Sequence, residues 1–167
     1  MTSSTKKLAE SQIEIFTDGS CINYAELAKR AKHGHGGWAF VVVYQHADGN
    51  VYRQGYLEPP QTNQTAELHA VLAAMRWIYA GRLGKERVMI TSDSLYVING
   101  MISQWRHQAA ETNFHDVPNG EIWRELHKLA ERLPRVRFRH VKGHRGNKYN
   151  EMADRMASFA RRTKKSN

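Results

Sequence analysis

Residues 38–58 read WAFVVVYQHADGNVYRQGYLE. Two runs rich in aromatic and β-branched residues flank Ala47-Asp48-Gly49-Asn50. An Asp-Gly pair between such runs signals a hairpin, because glycine supplies the backbone angles of a tight turn. Upstream, IEIFTD (13–18) is another extended run, with Ile13, Ile15, Phe16 and Thr17 favouring a strand, so the fold opens with three antiparallel strands. The intervening INYAELAKRAKHGHGG (22–37) is a polar, basic connection with room for one or two helical turns before its glycines.

Downstream the period changes. Over residues 65–79, Leu68, Val71, Leu72, Met75 and Ile78 recur at helical spacing, and Gly81 and Gly84 end the segment. RVMITSD (87–93) is a fourth strand. SLYVINGMISQW (94–105) is helical with Gly100 as an interruption, and 106–120 is polar and loop-like at its Pro118 end. EIWRELHKLAERL (121–133) resumes helical periodicity until Pro134, VRFRHV (136–141) is a fifth strand, and a helix from about residue 150 to 160 puts Ala153, Met156, Ala157 and Ala160 on one side. The order is β-β-β-α-β-α-α-β-α, an α/β mixed sheet covered by helices.

At 167 residues the chain is one domain, and no repeat or low-complexity linker divides it. Cys21 is the sole cysteine, which excludes an intrachain disulfide and a multi-cysteine zinc site. The longest apolar run, Trp38 to Tyr44, is too short for a bilayer, and MTSSTKKLAESQ lacks a signal-peptide core, so a cytoplasmic protein without membrane association is expected. A formal net charge of +9 points to polyanions such as nucleic acid. The excess is concentrated, because Arg124 to Lys148 holds nine Lys or Arg against two Glu. Such a run is also compatible with a merely solvated face.

Asp18, followed by Gly19 and Ser20, ends the first apolar run. Taken alone, Asp-Gly is a turn signal. Asp93 ends the fourth strand in the same way, at the edge where open α/β sheets build sites. Glu67 lies in the first turn of the long helix and Asp154 one turn into the last. Capping, helix-dipole and surface roles account for each acid separately, but not for a convergence of all four. Convergence would be costly without cations, and hard oxygen donors suit Mg²⁺ or Mn²⁺.

FTDGS (16–20), TNQTAELHA (62–70), TSDSLYV (91–97) and VKGHRGNKYNEMADRMA (141–157) stand in an order that resembles the type 1 ribonuclease H family from residue 13 to about 160. The resemblance implies a ribonuclease-H-like fold with a five-stranded mixed sheet of order 3-2-1-4-5. It places the catalytic domain at 10–162, with flexible tails at 1–9 and 163–167. It implies endonucleolytic hydrolysis of the RNA strand of RNA/DNA hybrids, leaving 5′-phosphate and 3′-hydroxyl ends, with two Mg²⁺ ions (Mn²⁺ as substitute) and no obligate protein partner. Carried onto this chain, the metal-binding carboxylates are Asp18, Glu67, Asp93 and Asp154, and His144 assists proton transfer or product release. Asn63 and Gln64 fall in the segment that meets the minor groove, Thr62 and Asn119 match residues that grip a DNA-strand phosphate, and Asn150 fits a position near the active-site loop.

Three departures stand out. The basic 22–35 insertion replaces a short glycine-rich connection, Leu95 stands where some relatives carry glutamine, and the handle segment 105–120 is short and weakly basic, with Trp105 and Trp123 to pack its base. Substrate affinity is therefore expected to draw on the KRAKHGH segment (29–35), Lys29, Arg30 and Lys32 foremost, or on Arg135, Arg137 and Arg139.

Overall fold

The structure, a computed structural model, describes residues 13–22, 34–143 and 145–167. Strands β1 (Ile13–Cys21), β2 (Gly34–Tyr44) and β3 (Val51–Gln61) precede helix α1 (Asn63–Ala80). Strand β4 (Val88–Ser92), helices α2 (Leu95–Ile102), α3 (Trp105–Glu111) and α4 (Gly120–Arg132), strand β5 (Val136–His140) and helix α5 (Lys148–Thr163) follow. The sheet order is β3-β2-β1-β4-β5, with β1–β2 and β2–β3 antiparallel and β1–β4 and β4–β5 parallel. The expected order 3-2-1-4-5 is thus observed.

Alternation along β1 divides the core. Ile13 and Ile15 join Leu68, Val71, Met75, Ile78, Ile90, Trp123 and Leu126 in the large cluster under α1, α2 and α4. Phe16 faces the other way, packing with Val41 and Ala153 beneath α5. Side chains of successive strand residues point to opposite faces, so one strand serves both layers.

Several local readings are corrected. Asp18-Gly19 is not a turn and Asp18 does not end its strand: β1 runs on to Cys21, with Asp18 opposite Ala39 and Gly19 opposite Trp38. The glycine is needed for close approach, since a Cβ there would lie 2.2 Å from the backbone of Ala66 and Glu67 in α1. Gly100 does not interrupt α2; it makes room for the Trp123 indole, which would stand 2.2 Å from a Cβ. Residues 105–111 form a helix of their own, so three helices rather than the expected two separate β4 from β5. The Asp48-Gly49 turn behaves as read, Gly49 taking φ +98° between β2 and β3.

At the other end of the chain, Asn167 N–H donates to the Gln54 carbonyl (3.0 Å), while the Gln54 and Tyr56 amides donate to Asn167 Oδ1 (2.9 Å) and Ser166 Oγ (3.0 Å). The β3 edge, unpaired by any strand on that side among the described residues, is partly covered by this segment.

Candidate active site

The parallel register pairs Thr17 with Ser92 across β1 and β4. The next residues, Asp18 and Asp93, therefore emerge side by side at one edge of the sheet. Helix α1 contributes the third acid. Asn63 is its first residue, so Glu67 opens the second turn rather than the first, and α1's contact with Gly19 brings it to β1. The Gly19 N–H donates to Glu67 Oε2 at 3.1 Å. Carboxylate oxygens of Asp18, Glu67 and Asp93 all lie within 4.8 Å of one another.

The electrostatic consequence is direct. Asp18, only 5% exposed, has its pKa raised from 3.8 to about 7, first by burial and then by Asp93, with Asp154 adding to the effect. Glu67 is pushed well above its ordinary value by burial and by Asp18. Like charges held together out of water disfavour ionisation. Asp154, further along α5 than expected because that helix begins at Lys148, is near enough to act on Asp18 but stands outside the tight trio.

Asp93 is held from three sides. The His140 ring nitrogen Nε2 lies 3.1 Å from its carbonyl, Asn150 Nδ2 donates to its Oδ2 at 3.4 Å, and the backbone at Gly143 passes so close that a Cβ would sit 2.6 Å from Oδ2. Asn150 is buried, and its Oδ1 has no hydrogen-bond partner among the described residues. Neither Gly19 nor His140 stands out in the sequence as a site residue. The glycine after Asp18 was the available signal, but it reads locally as a turn.

The other expected contact residues fall nearby in varied settings. Thr62 is the N-cap of α1, its hydroxyl accepting from the Thr65 N–H (3.1 Å) while Thr65 Oγ1 accepts from Thr62 N–H (2.8 Å). This is a reciprocal capping arrangement. Asn63 and Gln64 are exposed in the first turn. Asn119 precedes α4 at φ 59° without capping it, donating instead from Nδ2 to the Tyr96 hydroxyl at 3.1 Å. His144 and residues 23–33, including Lys29, Arg30 and Lys32, lie outside the described residues.

The handle's base is packed as expected: Trp105 and Trp123 meet edge-on with centroids 5.2 Å apart. The β5 arginines are less free. Arg139 pairs with Glu14, Arg135 donates to the Lys85 carbonyl, and Arg137 donates to the Pro134 carbonyl at 2.7 Å. A second group of ligand-type side chains, His107, His127 and Glu131, gathers between α3 and α4. A guanidinium already serves it, with Arg106 Nη1 2.7 Å from His127 Nδ1 and 3.7 Å from Glu131 Oε1.

Residues 10–162 match the family model described as RNase H. A ribonuclease H of Treponema pallidum subsp. pallidum is 34% identical, covering 92% of this chain and 93% of its own. A ribonuclease H of Anaplasma marginale is also 34% identical, over 90% of each. The fold superposes with TM-score 0.71 on LC9-RNase H1, described as a type 1 RNase H with the type 2 active-site motif, at 27% identity over 93% of this chain and 74% of that one.

Proposed function

The chain belongs to the RNase H family, and from that premise we propose that it cleaves the RNA strand of RNA/DNA hybrids at the sheet edge where Asp18, Glu67 and Asp93 converge. The observation carrying the assignment of the site is the approach of three carboxylates to within 4.8 Å, with Asp18 pushed up to about 7 by burial and its neighbours.

This donor set fits hard divalent cations. Among the described residues three carboxylates converge there, and a cation would offset the burial and the mutual repulsion that raise Asp18 and Glu67. We assign Mg²⁺, with Mn²⁺ as substitute and two ions in the substrate complex, to Asp18, Glu67, Asp93 and Asp154. When bound, these ions supply an activated water and charge compensation at the scissile phosphate.

The chain's own residues do the rest. The Gly19 N–H orients Glu67, and His140 and Asn150 hold Asp93, so the carboxylates need little rearrangement on binding. Asp154 approaches from α5 to complete the acidic edge. Water oxygen forms the new P–O bond as the bond to the 3′ oxygen breaks. That oxygen takes up a proton, leaving 3′-hydroxyl and 5′-phosphate ends. His144 assists proton transfer or product departure. Thr62 and Asn119 contact a DNA-strand phosphate, Asn63 and Gln64 reach the minor groove where the 2′-hydroxyls mark the RNA strand, and Asn150 keeps its place beside Asp93. No helix among the described residues is long and apolar enough to cross a membrane, and with a single cysteine the chain suits a cytoplasmic setting.

The test is a substrate panel on the purified protein: RNA/DNA hybrid, double-stranded RNA and single-stranded RNA, each with Mg²⁺, Mn²⁺ or EDTA. Hybrid-selective, metal-dependent cleavage that disappears in a folded Asp93→Asn variant is expected. Unchanged metal-dependent activity in that variant would sink the site assignment.

A further inference from the structure

Helices α3 and α4 bring together a second set of ligand-type side chains, and its chemistry differs from that of the carboxylate edge. His127 and Glu131 stand four residues apart on α4, which puts them on one face, a turn apart. His107, on α3, meets them from the other helix, its ring edge-on to that of His127 with centroids 5.6 Å apart. One ligand atom from each of the three residues lies within 4.8 Å of the other two. Donors about 2.0–2.1 Å from a tetrahedral zinc ion stand roughly 3.3 Å from one another, so closure asks for movements on the order of 1 Å. His107 and Glu131 are exposed and have that freedom.

A guanidinium holds the set together. Arg106 Nη1 lies 2.7 Å from His127 Nδ1 and 3.7 Å from Glu131 Oε1. Arginine only donates, so His127 Nδ1 accepts, and the ring is neutral with a lone pair directed at the cation. The arginine itself is poorly paired. It is 8% exposed, its carboxylate partner stands beyond hydrogen-bonding distance, and its Nε is buried with no partner among the described residues. A buried charge in that state is costly. It also has room to leave, because Arg106 lines a cavity of about 430 Å³ between α2, the end of α4 and β5, with Ile102, Arg137 and Phe138 among its other lining residues.

We propose that His107, His127 and Glu131 form a binding site for a divalent transition-metal ion, Zn²⁺ foremost, which takes the place of the Arg106 guanidinium and clips α3 to α4. Two imidazoles and a carboxylate, with water in the fourth position, suit zinc, cobalt or nickel, whereas Mg²⁺ prefers oxygen donors throughout. The chain thus carries two cation sites of opposite preference. The carboxylates of Asp18, Glu67 and Asp93 take hard ions, and the nitrogen-rich set on α3 and α4 takes softer ones. One cation exchanges for another, and the displaced guanidinium moves into the neighbouring cavity, away from the incoming charge.

The experiment titrates the protein, free of any affinity tag, with Co²⁺ as a spectroscopic substitute for zinc, in excess Mg²⁺ so that the carboxylate edge stays filled. One equivalent should bind with the intense visible absorption of four-coordinate cobalt, and added Zn²⁺ should bleach it. His107→Ala, at an exposed ring, should weaken binding at least about tenfold, since even residues that only support a metal ligand cost that much. Glu131→Gln should act in the same direction. Asp18→Asn should retain the parental cobalt spectrum, which separates this site from the carboxylate edge. In that background Zn²⁺ should raise Tm, and adding His107→Ala should cancel the rise. Arg106→Gln removes the competing cation and should bind Co²⁺ several-fold more tightly. The absence of a cobalt band in excess Mg²⁺, weak six-coordinate absorption alone, parental affinity in His107→Ala, or loss of the band in Asp18→Asn would each overturn the proposal while leaving hybrid cleavage intact. Unchanged or weaker binding by a folded Arg106→Gln protein would overturn the exchange of guanidinium for metal.

Discussion

Replacing Asp18 with Asn should abolish turnover and, in the absence of divalent ions, stabilise the fold. The carboxyl has a pKa near 3.8 in the unfolded chain and about 7 in the folded one. Between those values the folded protein holds a proton that the unfolded chain has released, so stability falls as pH rises through the window. Above pH 7 the full penalty is present. The difference corresponds to about 4 kcal/mol at pH 8 and roughly 1.6 kcal/mol at pH 5. An asparagine keeps the shape without the charge but still buries a polar amide, so it should recover on the order of 1–3 kcal/mol at pH 8. For a chain of this size that is a rise in Tm of about 4–8 °C near the middle of the range. Thermal melts followed by circular dichroism in EDTA, at pH 8 and pH 5, provide the assay. The variant's advantage should shrink by more than half at the lower pH. Added Mg²⁺ should raise the parent's Tm and leave the variant's nearly unchanged. A folded Asp18→Asn protein that melts at or below the parent at pH 8 in EDTA would refute the account of a strained acidic cluster.

His144→Ala should slow single-turnover cleavage less than Asp18→Asn does, because charge compensation at the phosphate outweighs a proton relay; equal losses would contradict that ranking. Gly19→Ala should destabilise the protein by about 1–3 kcal/mol or more, since its Cβ would lie 2.2 Å from α1 backbone. It should also lower activity by displacing Glu67, and parental urea midpoints would show that α1 and β1 can part without cost. Replacing Lys29, Arg30 and Lys32 together with Ser should weaken hybrid binding irrespective of sequence and flatten its salt dependence. Identical salt slopes for variant and parent would identify the insertion as surface decoration and leave the phosphate contacts to Arg135, Arg137, Arg139 and the C-terminal Arg161, Arg162, Lys164 and Lys165.

Features that depend on near neighbours along the chain were legible in the residues alone. The hairpin around Asp48-Gly49, the apolar stripe of α1, the short strands carrying Asp18 and Asp93 and the alanine face of α5 follow from local propensity and periodicity, and each is present. The ordered motifs also placed the chain beside the type 1 ribonuclease H family. What the residues could not state was convergence. Asp18 and Asp93 are separated by most of half the chain, and they meet because β1 and β4 are parallel neighbours in a register that pairs Thr17 with Ser92. The same distinction explains the misreadings. Gly19 and Gly100 look like punctuation because a glycine signals backbone freedom and absence of a side chain alike. Only the packed structure shows that the missing Cβ is what counts, against α1 at one position and Trp123 at the other. The polar stretch containing α3 shows no apolar period to mark a helix, because its turns are completed by packing on α4, where Trp105 meets Trp123. Local propensities act over one or two turns of chain, whereas hydrogen-bond partners, steric vacancies and clustered charges are relations between segments, and the tertiary fold alone brings those segments within reach.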